Sequence, residues 1–170
     1  MIRGTVVALC LALALSGCSG ASGDEVADDR LPDVTLAGFA GGEDVDLGEF
    51  TGPAVISVWA SWCPPCRKEM PILEEFHATY ADRVTLLGID FQDFQTDEAL
   101  ALLDEAGVSY PQVLDEGGDI SGAGAFPVLR GLPYLAFVDE DGTVTQVEAT
   151  VIKSTDQLVD LVETHLGISL

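Results

Sequence analysis

AVISVWASWCPPCRKEMPILEEFHATY, residues 54–80, changes its periodicity at a pair of cysteines. Its first seven residues, Ala54 to Ala60, form a near-continuous apolar run rich in β-branched side chains, the pattern of a strand buried on both faces. Beyond the cysteines, Met70, Leu73, Phe76 and Tyr80 recur at helical spacing. Pro64 and Pro65 suit the first turn of that helix, where a backbone N–H has no intrahelical partner to lose. Pro71 lies deeper and predicts a kink or the end of a first helical segment. Cys63 and Cys66 therefore stand where a buried strand turns into a helix.

A C-x-x-C pair can hold zinc, staple a fold or turn over electrons. A structural zinc site takes about four ligands. The sequence has no second C-x-x-C, and its two histidines, His77 and His165, fall on separate helical stretches with no ligand cluster around them. A disulfide across two intervening residues closes almost no loop, so it removes little entropy from the unfolded chain. Redox turnover suits the place better, because a helix N-terminus stabilises a thiolate and in such motifs lowers the first cysteine's pKa from ~8.5 into the range ~3.5–7.5. Arg67 and Lys68 add positive potential in the same turn. Cys63 is expected as the exposed nucleophile and Cys66, one turn in, as the shielded resolving thiol. Neither proline can donate an N–H to a thiolate, which predicts a moderate stabilisation of the anion and a mildly reducing pair.

The whole chain limits what such a pair could serve. Its 170 residues suit one domain, and 29 acidic against 7 scattered basic residues argue against a nucleic-acid or anionic-membrane surface. Ile2-Arg3 followed by the apolar run Val6 to Leu15 reads as an export signal, since a membrane span wants about 20 apolar residues. Leu15-Ser16-Gly17-Cys18 resembles the lipobox of bacterial lipoproteins, which implies cleavage after residue 17 and acylation of Cys18. Cleavage without lipid and an uncut anchor are the alternatives. With Cys10 removed and Cys18 acylated, Cys63 and Cys66 would be the only thiols left, outside the cytoplasm where disulfides persist. Residues 18–30 are small and acidic, and they read as a flexible tether to a domain at 31–170.

Elsewhere, two short extended runs around Gly41-Gly42 suggest a hairpin. Residues 84–91, VTLLGIDF, read as a second buried strand, and Thr96 is placed to cap a helix that Gly107 ends. Residues 133–149 read as a hairpin turning at Asp141-Gly142. Ser154-Thr155-Asp156-Gln157 looks like a capping box for a last helix with Leu158, Leu161, Val162 and Leu166 on its inner face. The order strand, helix, strand, helix, hairpin, helix predicts an α/β fold with a central mixed sheet flanked by helices.

VWASWCPPCRKEMP, with its strand before and proline-bearing helix after, resembles the thioredoxin fold, and within it the exported TlpA/ResA-like thiol-disulfide oxidoreductases. The resemblance covers about residues 31–170 and implies a thioredoxin-like domain with an N-terminal β-hairpin extension. It assigns Cys63 as the attacking and Cys66 as the resolving cysteine, Trp62 as the aromatic before the motif, and Pro71 as the kink proline. Pro133 matches a cis-proline that faces the active disulfide, so Leu132–Pro133 would be cis and would pair with bound substrate alongside Trp62, Pro64 and Pro65. Glu69 matches an acidic residue three positions past the second cysteine; helical spacing puts it on the face of Cys66, where it could accept that thiol's proton or simply meet solvent. Two positions depart from the pattern. Ser57 stands where cytoplasmic thioredoxins have a buried aspartate, and Tyr134-Leu135 follow Pro133 where threonine is frequent.

The function implied is a membrane-tethered protein thiol-disulfide oxidoreductase, monomeric, with no cofactor or metal beyond the Cys63–Cys66 disulfide. It would act on protein thiols or disulfides, draw electrons from a membrane thiol carrier, and work as a reductant, for example in cytochrome c maturation. A disulfide-forming oxidase and a copper-handling protein of the same fold are the alternatives.

Overall fold

The computed structural model describes Met1 and residues 29–170. The expected signal peptide, Cys10 and the lipidation site Cys18 lie outside the described residues. The last two residues assigned to the tether are already part of the domain. The Asp29 carbonyl accepts Val144 N–H at 2.6 Å, and Arg30 bridges Thr143.

Seven strands form one sheet: β1 (Thr35–Phe39), β2 (Val45–Asp46), β3 (Ala54–Trp59), β4 (Thr85–Phe91), β5 (Gln112–Asp115), β6 (Tyr134–Val138) and β7 (Val144–Glu148), in the spatial order β2-β1-β5-β4-β3-β6-β7. β3, β4 and β5 run parallel, and β1, β6 and β7 pair antiparallel. This is a thioredoxin-like mixed sheet with three helices, α1 (Pro64–Tyr80), α2 (Thr96–Ala106) and α3 (Thr155–Leu166).

The two parallel crossovers step in the same direction, from β3 through α1 to β4 and from β4 through α2 to β5. With the usual right-handed connection, both helices must fall on one face. The core agrees. Val55, Leu86, Leu135 and Phe137 pack with Leu73 and Phe76 of α1 and Leu158 and Val162 of α3, while Trp59 packs with α1 and with Leu102 and Leu103 of α2. The opposite face, Ile56, Val58, Ile89, Val113 and Ala136, is covered by residues outside the helices: Leu31, Leu47, Ile120 and Phe126.

Several local readings are refined. β5 was not anticipated; it inserts between β4 and the β1–β2 hairpin, so the hairpin extends the sheet edge. Thr96 is the first residue of α2 rather than its cap; the N-cap is Gln95, whose side chain makes no capping bond. α1 runs through Pro71 as one helix of 17 residues. Gly107 does end α2 in the left-handed conformation at φ 67°, and the Ser154 hydroxyl caps α3 by accepting Gln157 N–H at 3.2 Å. Leu158 and Val162 are fully buried on the inner face of α3, with Leu161 and Leu166 partly so.

Candidate active site

β3 delivers the chain to the site already anchored. Trp59 is buried, and its indole N–H donates to Gln112 Oε1 at 2.9 Å. That bond needs Gly88 on the strand between, because a Cβ there would lie 2.0 Å from Gln112 Oε1. Ser57, facing Gly88 and Leu135, is buried and brings no carboxylate beneath the cysteines.

Cys63 is the N-cap of α1, with extended backbone, and Pro64 and Pro65 fill the next two positions. The cysteines form a disulfide with Cα atoms 5.3 Å apart. Cys63 Sγ accepts the Cys66 backbone N–H at 3.2 Å, while the two prolines between them have no N–H to add. Cys63, expected to be exposed, is 3 % exposed in the disulfide form, against 2 % for Cys66. Both sulfur residues belong to the apolar cluster of Phe39, Trp59 and Met70, against which Leu132 also packs. The exposed group is Trp62, at 48 %, whose indole N–H reaches the Gln92 carbonyl at 3.4 Å.

Leu132–Pro133 is cis, and Pro133 is buried at the start of β6. Two hollows flank it. One, of about 240 Å³, is bounded by Leu132, Pro133 and Tyr134 with Ala149, Thr150 and Val151; the other, of about 200 Å³, lies between Trp62, Gln92 and Leu129 to Leu132. A second cis bond, Gly52–Pro53, precedes β3 and carried no signal in the sequence.

Glu69 is 2 % exposed, and its carboxylate accepts the Ile152 backbone N–H, in the segment just before α3. Burial pushes its pKa up to about 7, with the Ile152 N–H pulling the other way. Arg67 and Lys68 are exposed, and the Arg67 guanidinium donates to the Ser61 carbonyl at 3.4 Å. His77 lies against Tyr110 with ring centres 5.8 Å apart and planes tilted by 58°, and His165 pairs with Glu148 at 3.0 Å. Among the described residues, no three His, Cys, Asp or Glu side chains are placed to hold a metal ion.

Sequence reasoning missed a carboxylate directly behind the motif. Asp93, in the loop after β4, is 1 % exposed and accepts the N–H groups of Ser61 and, at 2.9 Å, Gln95. It ties the residue two before Cys63 to the start of α2. Beside it Asp90, on β4 opposite Trp59, is equally buried, and both its oxygens lack a donor. Burial raises the Asp90 pKa to about 8, and the neighbouring Asp93 and Glu116 charges and a contact with the Asp93 carboxyl add to the rise. The only hint in the sequence was an aspartate inside an otherwise apolar strand.

A disulfide this local adds little to stability, yet the strand, the helix start and the cis-proline segment all converge on it. That arrangement defines a thioredoxin-like dithiol–disulfide protein. The Redoxin family model matches residues 26–162, and the chain belongs to that family. It is 28 % identical over 137 residues to the thioredoxin-like protein YneN of Bacillus subtilis, covering 78 % of each chain. It is 32 % identical over 109 residues to the thiol-disulfide oxidoreductase ResA of Bacillus thuringiensis subsp. konkukian, covering 62 % of this chain and 60 % of that one, so the match spans about three fifths of ResA. A secreted Mycobacterium tuberculosis disulfide oxidoreductase described as homologous to E. coli DsbE shares the fold, with TM-score 0.65 and 24 % identity over 78 % of this chain and 96 % of the other. Among the described residues no helix is long and apolar enough to cross a membrane.

Proposed function

We propose that the chain is an exported, membrane-tethered protein thiol-disulfide oxidoreductase that works as a reductant through Cys63 and Cys66. The observation that carries this reading is the Cys63–Cys66 disulfide at the N-terminus of α1, beside the buried cis-Pro133. In the reduced protein the Cys63 thiolate attacks one sulfur of a substrate disulfide, and the other substrate sulfur leaves as a thiolate and takes a proton. The Cys66 thiol then loses its proton and attacks Cys63 Sγ. The mixed disulfide breaks, the substrate departs fully reduced, and the protein is left as the disulfide. A membrane thiol carrier would return two electrons and two protons. Apocytochrome c is a substrate of the expected kind.

Trp62, Pro64, Pro65, Leu132 and Pro133 would form the surface on which substrate backbone lies, with the two hollows beside Pro133 taking its side chains. Glu69 would accept the Cys66 proton; its burial and a pKa near neutrality suit a general base at physiological pH. The reducing direction is supported by the single backbone donor at Cys63 Sγ, since a thiolate with few hydrogen bonds is a weak sink for electrons. The anchor at Cys18 rests on the lipobox-like sequence.

Mixed-disulfide trapping with Cys66→Ser tests the exchange. A substrate should remain covalently bound to Cys63, with turnover in an insulin-reduction assay lost. If nothing is captured and the wild-type protein also leaves insulin intact, the reading fails. A redox titration tests the direction, because a potential as oxidising as about −120 mV would reverse it.

A further inference from the structure

Asp90 and Asp93 are two buried carboxyl groups in contact, and their surroundings differ sharply. Asp93 accepts two backbone N–H groups, from Ser61 and Gln95, one on each carboxylate oxygen. Asp90 receives none, yet the Asp93 carboxyl lies within hydrogen-bonding reach of it. Two carboxylates are acceptors only and cannot bond one another; one proton between them converts repulsion into an O–H···O⁻ bond. The proton belongs on Asp90, where no donor competes for the oxygens.

The remaining charges around the pair do not supply a substitute. Glu116, just after β5, adds negative potential. Asp115 on β5 is occupied by the N–H groups of Asp119 and Ile120. The first turn of α2 carries Asp97 and Glu98, both exposed. From α1, the Arg67 guanidinium bonds the Ser61 carbonyl, and β3 presents Ser57 and Trp59, which carry no charge.

We propose that Asp90 is a positioning residue for the exchange reaction: held protonated, it donates to Asp93 and locks the carboxylate that anchors Ser61, and with it Trp62, in front of Cys63. This rests on the exchange function proposed above, but the carboxyl pair can be tested without it. When Asp90 ionises, its proton passes to solvent, and an unscreened carboxylate then faces Asp93. The Ser61 anchor loosens, and Trp62 and the approach to Cys63 become mobile together.

The oxidised protein is the material for the test, because its cysteines do not titrate. Tryptophan fluorescence followed from about pH 6 to about pH 10 should change with a midpoint near pH 8. The Glu69→Gln variant should keep that midpoint. Asp90→Asn, whose amide can still donate to Asp93 but cannot ionise, should lose it. In the reduced protein, alkylation of Cys63 against pH should show the same extra inflection in wild type and a single ionisation in Asp90→Asn. A fluorescence titration unchanged by Asp90→Asn overturns the proposal. Should that variant fail to fold, infrared spectroscopy of oxidised Glu69→Gln decides: the carbonyl stretch of a protonated carboxylic acid should be present near pH 7 and gone by about pH 10, and its absence near pH 7 overturns the proposal. Insulin reduction reads the exchange activity separately, so a silent assay beside a positive titration would count against the exchange reading alone.

Discussion

Glu69 on α1 and Asp90 on β4 are both buried acids, and they are kept in opposite ways. Glu69 hangs from α1 and meets a backbone donor, the N–H of Ile152, supplied by the approach to α3. Asp90 stands near the C-terminal end of β4 and meets no donor, only a second carboxyl. The first can be buried as an anion at moderate cost because a hydrogen bond compensates it, whereas the second is best buried as an acid. The difference separates two tasks. On the proposed reading Glu69 would exchange a proton near neutral pH, and Asp90 would hold one while Asp93 fixes the backbone that leads to Cys63.

The largest expected effect comes from removing the shared anchor. Asp93→Ala leaves the buried Ser61 N–H without an acceptor and Asp90 without its partner, and it should cost about 3 kcal/mol of stability. Urea unfolding of the oxidised protein measures it. A loss below about 1 kcal/mol would mean that the carboxyl pair is peripheral to the fold and that the contrast with Glu69 carries no weight.

The next effect is a pH dependence with a defined sign. Both acids have folded pKa values raised above their ordinary ones, Glu69 from 4.5 to about 7 and Asp90 from 3.8 to about 8. Between those limits the folded chain keeps protons that the unfolded chain releases, so stability falls as pH rises through the window. Above about pH 6 the ordinary carboxylates are already ionised, so among the acids these two account for the decline from about 6 to about 8. Glu69→Gln should lessen the slope below about pH 7 and leave it unchanged above, whereas Asp90→Asn should lessen it throughout and remove it between about 7 and about 8. A stability that rises over this range, or a single variant that flattens all of it, would break the comparison.

The sequence showed one acid and hid the other, for a physical reason. Glu69 is addressed by its distance from Cys66 along one helix, and helical spacing is visible in sequence. Asp90 and Asp93 acquire their meaning from Ser61, about thirty residues away in the chain and brought adjacent by the parallel pairing of β3 with β4. β5 was missed on the same ground. Its buried Gln112 and Asp115 interrupt the apolar pattern, and they are buried because Trp59 and the Asp119–Ile120 turn satisfy them from elsewhere. The fully buried, near-continuously apolar strand β3, the glycine stop of α2 and the Ser154 cap of α3 depend on local signals, and those were legible. The burial of Cys63 was not, since it results from Phe39 of β1 and Leu132 of the segment before β6 arriving from far along the chain.

The smallest effect concerns the exposed cations, which belong to neither acid. Arg67 and Lys68 lie in the first turn of α1 with their side chains in water, where a charge near a helix end is worth about 0.3–1 kcal/mol and is screened by salt. Replacing both by glutamine should slow alkylation of reduced Cys63 near neutral pH by about two- to threefold at low salt, and by less at high salt. Loss of the Arg67 contact to the Ser61 carbonyl should leave the midpoint near pH 8 in place, because Asp93 still holds Ser61 from the other side. If the double variant instead shifts that midpoint by a full unit, the Ser61 segment is governed by the surface cations as much as by the buried carboxyls, and Asp90 loses its distinct role.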